Sequence, residues 1–492
     1  MPKHLPILTL CALLTTSVLR ADEESSKPTI ESELKRFTAA FAAIESRAAD
    51  KVESQPAIFG GAIPAMLRKL DPFSVFLDPT QTEQLKEMEK SERKGFGSVV
   101  SVMPGRVVIL QTLPGTPSAK AGLSPGDEIL VINGYPLNRL EFDQLVQLLS
   151  ESRQREARLE VRRPGNVRLL QFTLTPELMD SPSIDRAFML KPGIGYIRIA
   201  SFDPKTGPLM KQTVEQLGGA ALKGLVIDLR NNPGGVVQGA LEVAGMFLKP
   251  GQTILSVRGR SIEDDTVRVP EKLTPYTFPV AVLINGKSAS ASEIVTGALQ
   301  DHDRATVIGE PSYGKGLVQS VFNLSSNTAL ALTTAFYYTP SGRSIQKPLP
   351  EAGQLNPLKF AGKGEHRTDS GRVVQGGGGI QPDQVVYPEN YSRLQMVLEG
   401  SGALNSFAAD YVQKNKVDAN WDLAPAVLDD FKVFLSARSI QPTPADWFKD
   451  RAWIENRLKQ EIVNLTQGVA KGDEIEAQRD PVVQRALSAV SQ

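Results

Sequence analysis

Val280-Ala281-Val282-Leu283-Ile284-Asn285-Gly286-Lys287-Ser288-Ala289-Ser290-Ala291-Ser292-Glu293-Ile294 is the stretch on which the reading of the fold turns. Five consecutive apolar residues make a short buried strand, a polar turn follows, and residues 292–299 continue with helical spacing. The same unit stands upstream, where residues 224–229 lead through Asn231-Asn232-Pro233-Gly234-Gly235 into residues 238–248, and Ile194–Ile199 supplies another strand. Strand-turn-helix units recurring from about Ala187 to Ile345 predict a mainly parallel sheet covered by helices.

Outward from this region the pattern changes. Between Gly95 and about Leu174, short β-like runs at 107–110, 128–132 and 158–162 surround one helical run at 140–149, which reads as a compact β-rich module. Residues 22–90 are charged and helix-biased, with Leu34, Phe37, Phe41 and Ile44 at helical spacing. They break at Leu70-Asp71-Pro72-Phe73-Ser74, for which packing is the expected role. Residues 347–378 carry Pro, Lys and Gly and run into Gly376-Gly377-Gly378-Gly379, an expected exposed insertion. From about Tyr391 the chain reads as helical, with Ile454, Leu458, Ile462 and Leu465 in step.

At 492 residues the chain suits three or four modules of ~150 residues. Its 55 Lys+Arg balance 55 Asp+Glu, so there is no electrostatic footprint for nucleic acid or anionic lipid. The only cysteine is Cys11, and the histidines are His4, His302 and His366. Disulfide frameworks, Cys-rich zinc sites and Cys nucleophiles are thereby excluded, and a Ser-His-Asp triad has few histidines to draw on. Residues 1–21 join a basic start to an apolar run and end at Arg20-Ala21, as a cleaved export signal does. The apolar run, residues 5–19, is too short to anchor the chain in a membrane. A mature protein exported to the periplasm or cell envelope, with no transmembrane segment, is therefore expected.

Four elements can carry chemistry. The first is the turn 285–294, where a serine at a helix N-terminus meets unpaired N–H groups that stabilise a developing oxyanion, although Ser290-x-x-Glu293 is equally a capping box. The second is Gly309-Glu310-Pro311-Ser312-Tyr313-Gly314-Lys315-Gly316-Leu317-Val318-Gln319, whose lysine can act as a base if desolvated but is also compatible with a plain surface turn. Its Gly-x-x-x-x-Gly-Lys spacing imitates a phosphate-binding loop, yet Gly316 replaces the Ser or Thr that would ligand magnesium. The third is residues 226–235, a strand entering a glycine turn whose N–H groups can complete an oxyanion hole. The fourth is Lys94-Gly95-Phe96-Gly97 with residues 117–134 downstream, a glycine-bracketed loop and adjoining strand able to hold a terminal carboxylate and an added peptide strand.

In this order the four elements resemble those of the C-terminal processing peptidases, tail-specific serine proteases of family S41 with an embedded PDZ domain. Residues 228–235, 288–294, 314–319 and Ser341-Gly342-Arg343-Ser344-Ile345-Gln346 each resemble family segments, and the likeness runs from about Leu67 to Asp383. It implies a multidomain α/β fold. A signal peptide (1–21) and a helical N-terminal region (22–90) precede a PDZ domain (91–178), a crotonase/ClpP-like α/β peptidase core (179–390) and a C-terminal helical region (391–492). It implies Ser290 as nucleophile, Lys315 as general base and Gln319 as its support, with oxyanion donors from Ala291 and from Gly234 or Gly235. Ser288 and Ser292 are the lesser candidates. Gly95, Phe96 and Gly97 would receive the free, apolar C-terminus of a protein or peptide substrate.

No metal or organic cofactor is implied, and homo-oligomerisation stays open. Lys315 and Gln319 meet on a helical turn but sit ~13 Å apart along a straight strand, so a turn is expected there. The segment Gly379-Ile380-Gln381-Pro382-Asp383 is delayed by the insertion relative to the family pattern, and the insertion is expected either to border the cleft or to be an idle surface excursion. The alternative reading is a catalytically silent, PDZ-bearing periplasmic peptide-binding or scaffold protein.

Overall fold

Six strands build the central sheet, in the order Ile184–Lys191, Ile194–Ile199, Gly224–Asp228, Val280–Ile284, Ala305–Gly309 and Gln384–Val385. The first pairing is antiparallel and the other four are parallel, as the strand-turn-helix pattern predicts. Gly224–Asp228 and Val280–Ile284 are buried at every position, which is why they read as unbroken apolar runs. The structure is a computed structural model that describes residues 29–90, 92–260, 263–324, 327–348 and 365–491. The expected export signal and residues 349–364 of the expected insertion lie outside the described residues.

Helices Thr206–Leu217, Val237–Gly245 and Ala291–Asp301 bury Met210, Val243, Ile294 and Val295 in one core with Ile197, Ile227 and Val282. The opposite face is covered from the far end of the chain. Val482, Val483, Ala486, Leu487 and Val490 of helix Pro481–Val490 pack with Val226, Leu283 and Ile308. At ~1.5–3 kcal/mol for each fully buried aliphatic side chain, that helix is an integral layer of the peptide-bond scaffold rather than an appendage. Helices Arg393–Ser401, Ala403–Lys414, Pro425–Ser436 and Pro444–Thr466 enclose a separate cluster around Phe407, Phe431 and Leu458.

A second sheet runs in the order Val75–Leu77, Ala329–Tyr338, Thr253–Arg258, Asp265–Arg268, and Leu317–Asn323 also pairs with Ala329–Tyr338. The β-rich module holds strands Ser98–Met103, Arg106–Thr112, Glu128–Ile132, Ala157–Arg162 and Leu170–Leu174. Its helix Phe142–Ser152 turns Leu145 and Leu148 into a core with Val107, Ile129 and Leu159.

Residues 29–65 belong to a unit of their own. Within it, helix Ile30–Arg47 is capped by Thr29 Oγ1, which accepts the Ser32 N–H at 3.3 Å, and no residue of the helix is buried. The helical reading of residues 22–90 needs correction beyond that unit. Asp71 Oδ1 accepts the N–H of Phe73 (2.8 Å) and of Ser74 (2.7 Å), a turn that redirects the chain into strand Val75–Leu77. The insertion is not exposed throughout either. His366–Arg367 pairs with Val373–Val374, and Arg372 reaches Asp303 (2.8 Å) and Asp383 (2.5 Å), which anchors this hairpin to the core. Among the described residues no helix is long and apolar enough to cross a membrane.

Candidate active site

The turns after Gly224–Asp228 and Val280–Ile284, neighbours in the sheet, are stitched together by side chains. Asn285 Oδ1 accepts the Asn231 N–H and Asn231 Oδ1 accepts from Asn285 Nδ2, both at 3.0 Å. Ser288 Oγ donates to Leu229 O at 2.8 Å, and Ser292 Oγ donates to Asn232 O at 3.0 Å. Both hydroxyls are fully buried and committed to these carbonyls. Ser290, between them, is partly exposed and adopts φ 55°, ψ −113°. A non-glycine residue held there stores ~1–3 kcal/mol of strain.

The Ser290–Glu293 capping box is also present, so the two readings of Ser290 coexist. Glu293 does more than cap. Its fully buried Oε2 accepts the N–H of Ser290 at 2.8 Å and the N–H of Lys315 at 2.9 Å. Oε1 accepts from Ser312 Oγ at 2.5 Å and from the Gly314 N–H at 2.7 Å. One carboxylate therefore fixes the Ser290 turn and the Lys315 loop to each other. Burial pushes its carboxyl above the ordinary value, against these four bonds, which favour the charged form.

Lys315 is half-buried. Burial holds its amine below the ordinary lysine range, opposed by the negative charges of Asp71 and Glu293. Nζ donates to Gln319 Oε1 at 2.7 Å and lies 5.0 Å from the Phe73 ring centroid. Among the described residues Nζ has no hydrogen bond to Ser290. The expected helical turn at 315–319 is not formed. Leu317–Asn323 is a strand, and Lys315 still reaches Gln319 because a bulge at Val318–Gln319 shortens the path and both side chains are long. With a strand rather than a helix after Lys315, the phosphate-loop reading also fails, since it needs a helix N-terminus there.

Gly234 presses the glycine turn against Ser290. A Cβ added there would lie 2.8 Å from Ser290 Cβ and 3.0 Å from Ala291 N. The Gly234 N–H itself is spent on Asn232 Oδ1 at 2.8 Å, so it is not available as an oxyanion donor. The N–H groups of Gly235 and Ala291 have no acceptor among the described residues. Gly235 has φ 138°, and its Cβ would fall 2.0 Å from Phe202 O, so no other residue fits that position.

In the β-rich module, Gly95, Phe96 and Gly97 line a cavity of about 390 Å³ with Leu149, Arg153 and Met179. Gly97 has φ 75°, and a Cβ there would lie 2.2 Å from Thr116 Cβ. Arg93 lines the same cavity. Burial, and then the like charge of Arg93, lowers the Arg153 guanidinium, so this pair gains from an anion.

Three contributors escaped the sequence reading. Phe73 supplies the ring under Lys315 and accepts the Gln319 Nε2–H through its carbonyl at 2.7 Å. Asn232 donates from Nδ2 to Ile199 O at 2.8 Å and fixes the glycine turn. Arg230 grips buried Asp228 through Nε at 3.0 Å and reaches Asp480 of the C-terminal region at 2.6 Å. The Asp71-Pro72 turn and an Asn before Pro-Gly-Gly were visible signals for the first two, and nothing local signals the Asp480 contact.

The profile described as Peptidase family S41 matches residues 193–352, and that of the PDZ domain matches residues 85–162. A carboxy-terminal-processing protease of Bartonella bacilliformis is 38% identical over 307 residues, 59% of this chain and 70% of that protein. A carboxyl-terminal-processing protease of Synechocystis sp. is 35% identical over 292 residues, 58% of this chain and 68% of that one. A solved photosystem II D1 C-terminal processing protease aligns at 25% identity with TM-score 0.40, over 72% of this chain and 92% of that chain. The chain belongs to the carboxy-terminal-processing proteases of peptidase family S41 and carries their PDZ domain. It is a peptidase of the serine type, with an α/β peptidase core and a β-rich PDZ domain upstream.

Proposed function

We propose that the protein is an exported endopeptidase that cleaves proteins near their C-termini through an acyl-enzyme formed by a Ser290–Lys315 dyad. The observation that carries this reading is the shared Glu293 Oε2, which holds the N–H groups of Ser290 and Lys315 at 2.8 and 2.9 Å and so keeps the two residues adjacent. Neutral Lys315 leaves its Gln319 hydrogen bond and takes the Ser290 proton, and Ser290 attacks the scissile carbonyl. The N–H groups of Ala291 and Gly235 receive the oxyanion; its collapse breaks the scissile C–N bond as the Lys315 ammonium returns the proton to the departing amine, and water, giving its proton to the same lysine, then releases the acyl group. Gln319, held by the Phe73 carbonyl, parks the amine between turnovers.

The substrate's apolar C-terminus docks at Gly95–Gly97, where Arg93 and Arg153 offer it positive charge. Export rests on the apolar leader at 5–19. Wild type, Ser290→Ala and Lys315→Ala, compared on one unfolded substrate with a free or an amidated apolar C-terminus, test both parts. Equal proteolysis by all three proteins would remove the dyad and favour the silent binding protein. Indifference to amidation would remove carboxylate docking.

A further inference from the structure

Glu293 joins the Ser290 and Lys315 peptides through their N–H groups, and on the carbonyl side the same two peptides meet one further group. Tyr337 Oη lies 3.1 Å from Ser290 O and 3.0 Å from Lys315 O. Both neighbours only accept, so the hydroxyl must donate, and its single proton is shared in a three-centre bond. The ring is 2% exposed and packs in the main hydrophobic core with Ala291 and Ile345. The Tyr337 N–H also donates to Gly316 O at 3.0 Å, so residue 337 grips the lysine loop twice. Burial, and then the charge of Glu293, pushes the phenol well above its ordinary pKa, which keeps the donor proton in place. Phenylalanine would fill the same volume and leave the two carbonyls without this donor.

We propose that Tyr337 is a positioning residue that sets the separation of nucleophile and base: its hydroxyl pins the carbonyls of Ser290 and Lys315 as Glu293 pins their N–H groups. The lysine amine is thereby held in its desolvated place within reach of the serine. This rests on the dyad reading above. Tyr338 is the natural control, because it is the next residue, equally buried, with its ring under Arg258 (4.7 Å to the centroid) and packed with Leu317 and Phe73, and among the described residues its hydroxyl bonds neither Ser290 nor Lys315.

The experiment measures Ser290 labelling by a small fluorophosphonate, together with kcat and KM on an unfolded substrate with a free apolar C-terminus. It is run across pH on wild type, Tyr337→Phe, Tyr338→Phe, Ser290→Ala and Lys315→Ala, each at the same interval below its own melting midpoint. Tyr337→Phe is expected to slow labelling and kcat at neutral pH about tenfold or more, since a misplacement near 1 Å costs up to ~100-fold. KM should stay within about twofold, and the rising limb of the pH profile should move up by about one unit as water reaches the amine. Tyr338→Phe should match wild type.

Replacing Tyr337 by p-aminophenylalanine, which can donate to both carbonyls, should restore the rate, and this variant carries the test if Tyr337→Phe does not fold. Tyr337→Phe within twofold of wild type would overturn the proposal. So would a slowed variant whose limb does not move or that p-aminophenylalanine fails to restore. Full activity in Ser290→Ala or Lys315→Ala would instead overturn the dyad.

Discussion

Glu293→Gln tests how the Ser290 turn and the Lys315 loop are held. In the wild type each carboxylate oxygen accepts two hydrogen bonds, Oε1 from Ser312 Oγ and Gly314 N, Oε2 from Ser290 N and Lys315 N. An amide offers one oxygen and one NH₂. With the NH₂ toward Ser290 and Lys315 it faces two N–H donors and loses both bonds. Turned the other way, it can donate to Ser312 Oγ, which already accepts the Ile380 N–H at 2.6 Å, but the Gly314 N–H loses its partner. This second orientation is the less costly. It leaves one buried N–H unsatisfied, ~1–3 kcal/mol, and weakens the remaining bonds by removing their charge assistance, ~1 kcal/mol more.

Relief of the buried charge, signalled by the raised carboxyl pKa, offsets part of that loss. The expected net destabilisation is ~1–3 kcal/mol, read as a drop of roughly 2–12 °C in the melting midpoint of the peptidase transition. Proteolysis should fall with it at every pH, and Glu293→Ala, which forfeits all four bonds, should be worse in both assays. A Glu293→Gln protein that melts and cleaves like wild type, with Glu293→Ala no worse, would refute the reasoning.

The other predictions separate roles that local sequence cannot. Ser292→Ala should cost ~1 kcal/mol by removing one buried hydroxyl bond and Ser288→Ala ~2 kcal/mol by removing two, to Leu229 O and from the Asn285 N–H, and both should still cleave substrate, while Ser290→Ala should fold normally and lose proteolysis. Loss of activity in the flanking variants with a normal melting curve would reassign the nucleophile. Gly97→Ala puts a Cβ into Thr116 at a left-handed φ and should lower kcat/KM for free-tailed substrates while leaving fluorophosphonate labelling of Ser290 intact; equal loss in both assays would contradict a docking role. Asp473 is pushed by burial, with help from Glu476 and Asp185 against Arg186, from 3.8 to about 6. Because the folded value is the higher one, its stabilising contribution is full below the unfolded value and is lost as pH rises through about 6. The midpoint of Asp473→Asn relative to wild type should therefore become more favourable between about pH 4 and pH 7, and a flat difference would contradict this.

The strand-turn-helix core was legible because Gly224–Asp228 and Val280–Ile284 are buried on both faces and write their position as apolar runs. The roles proposed for Ser290 and Lys315 come only through resemblance, since a capping serine and a turn lysine look the same locally. The Lys315–Gln319 geometry was misjudged because a bulge leaves no mark on residue spacing. Phe73 was read as packing, for its partner Gln319 lies 246 residues away and pairing over that distance has no periodic signature. Helix Pro481–Val490 announced an apolar face through Val483 and Leu487, but amphipathicity does not say what the face covers, and here it is the back of the central sheet. Arg230 and Asp480 are a distant pair of the same kind.

The most direct measurement is the titration of the Lys315 amine itself, by trace acetylation at a series of pH values with the extent at Lys315 read by mass spectrometry, beside the proteolytic rate of the same preparation. The expected result is half-maximal reactivity below the ordinary lysine value of 10.5, coinciding with the rising limb of proteolysis. An amine that titrates at or above that value, in an enzyme already fully active at neutral pH, would contradict the dyad.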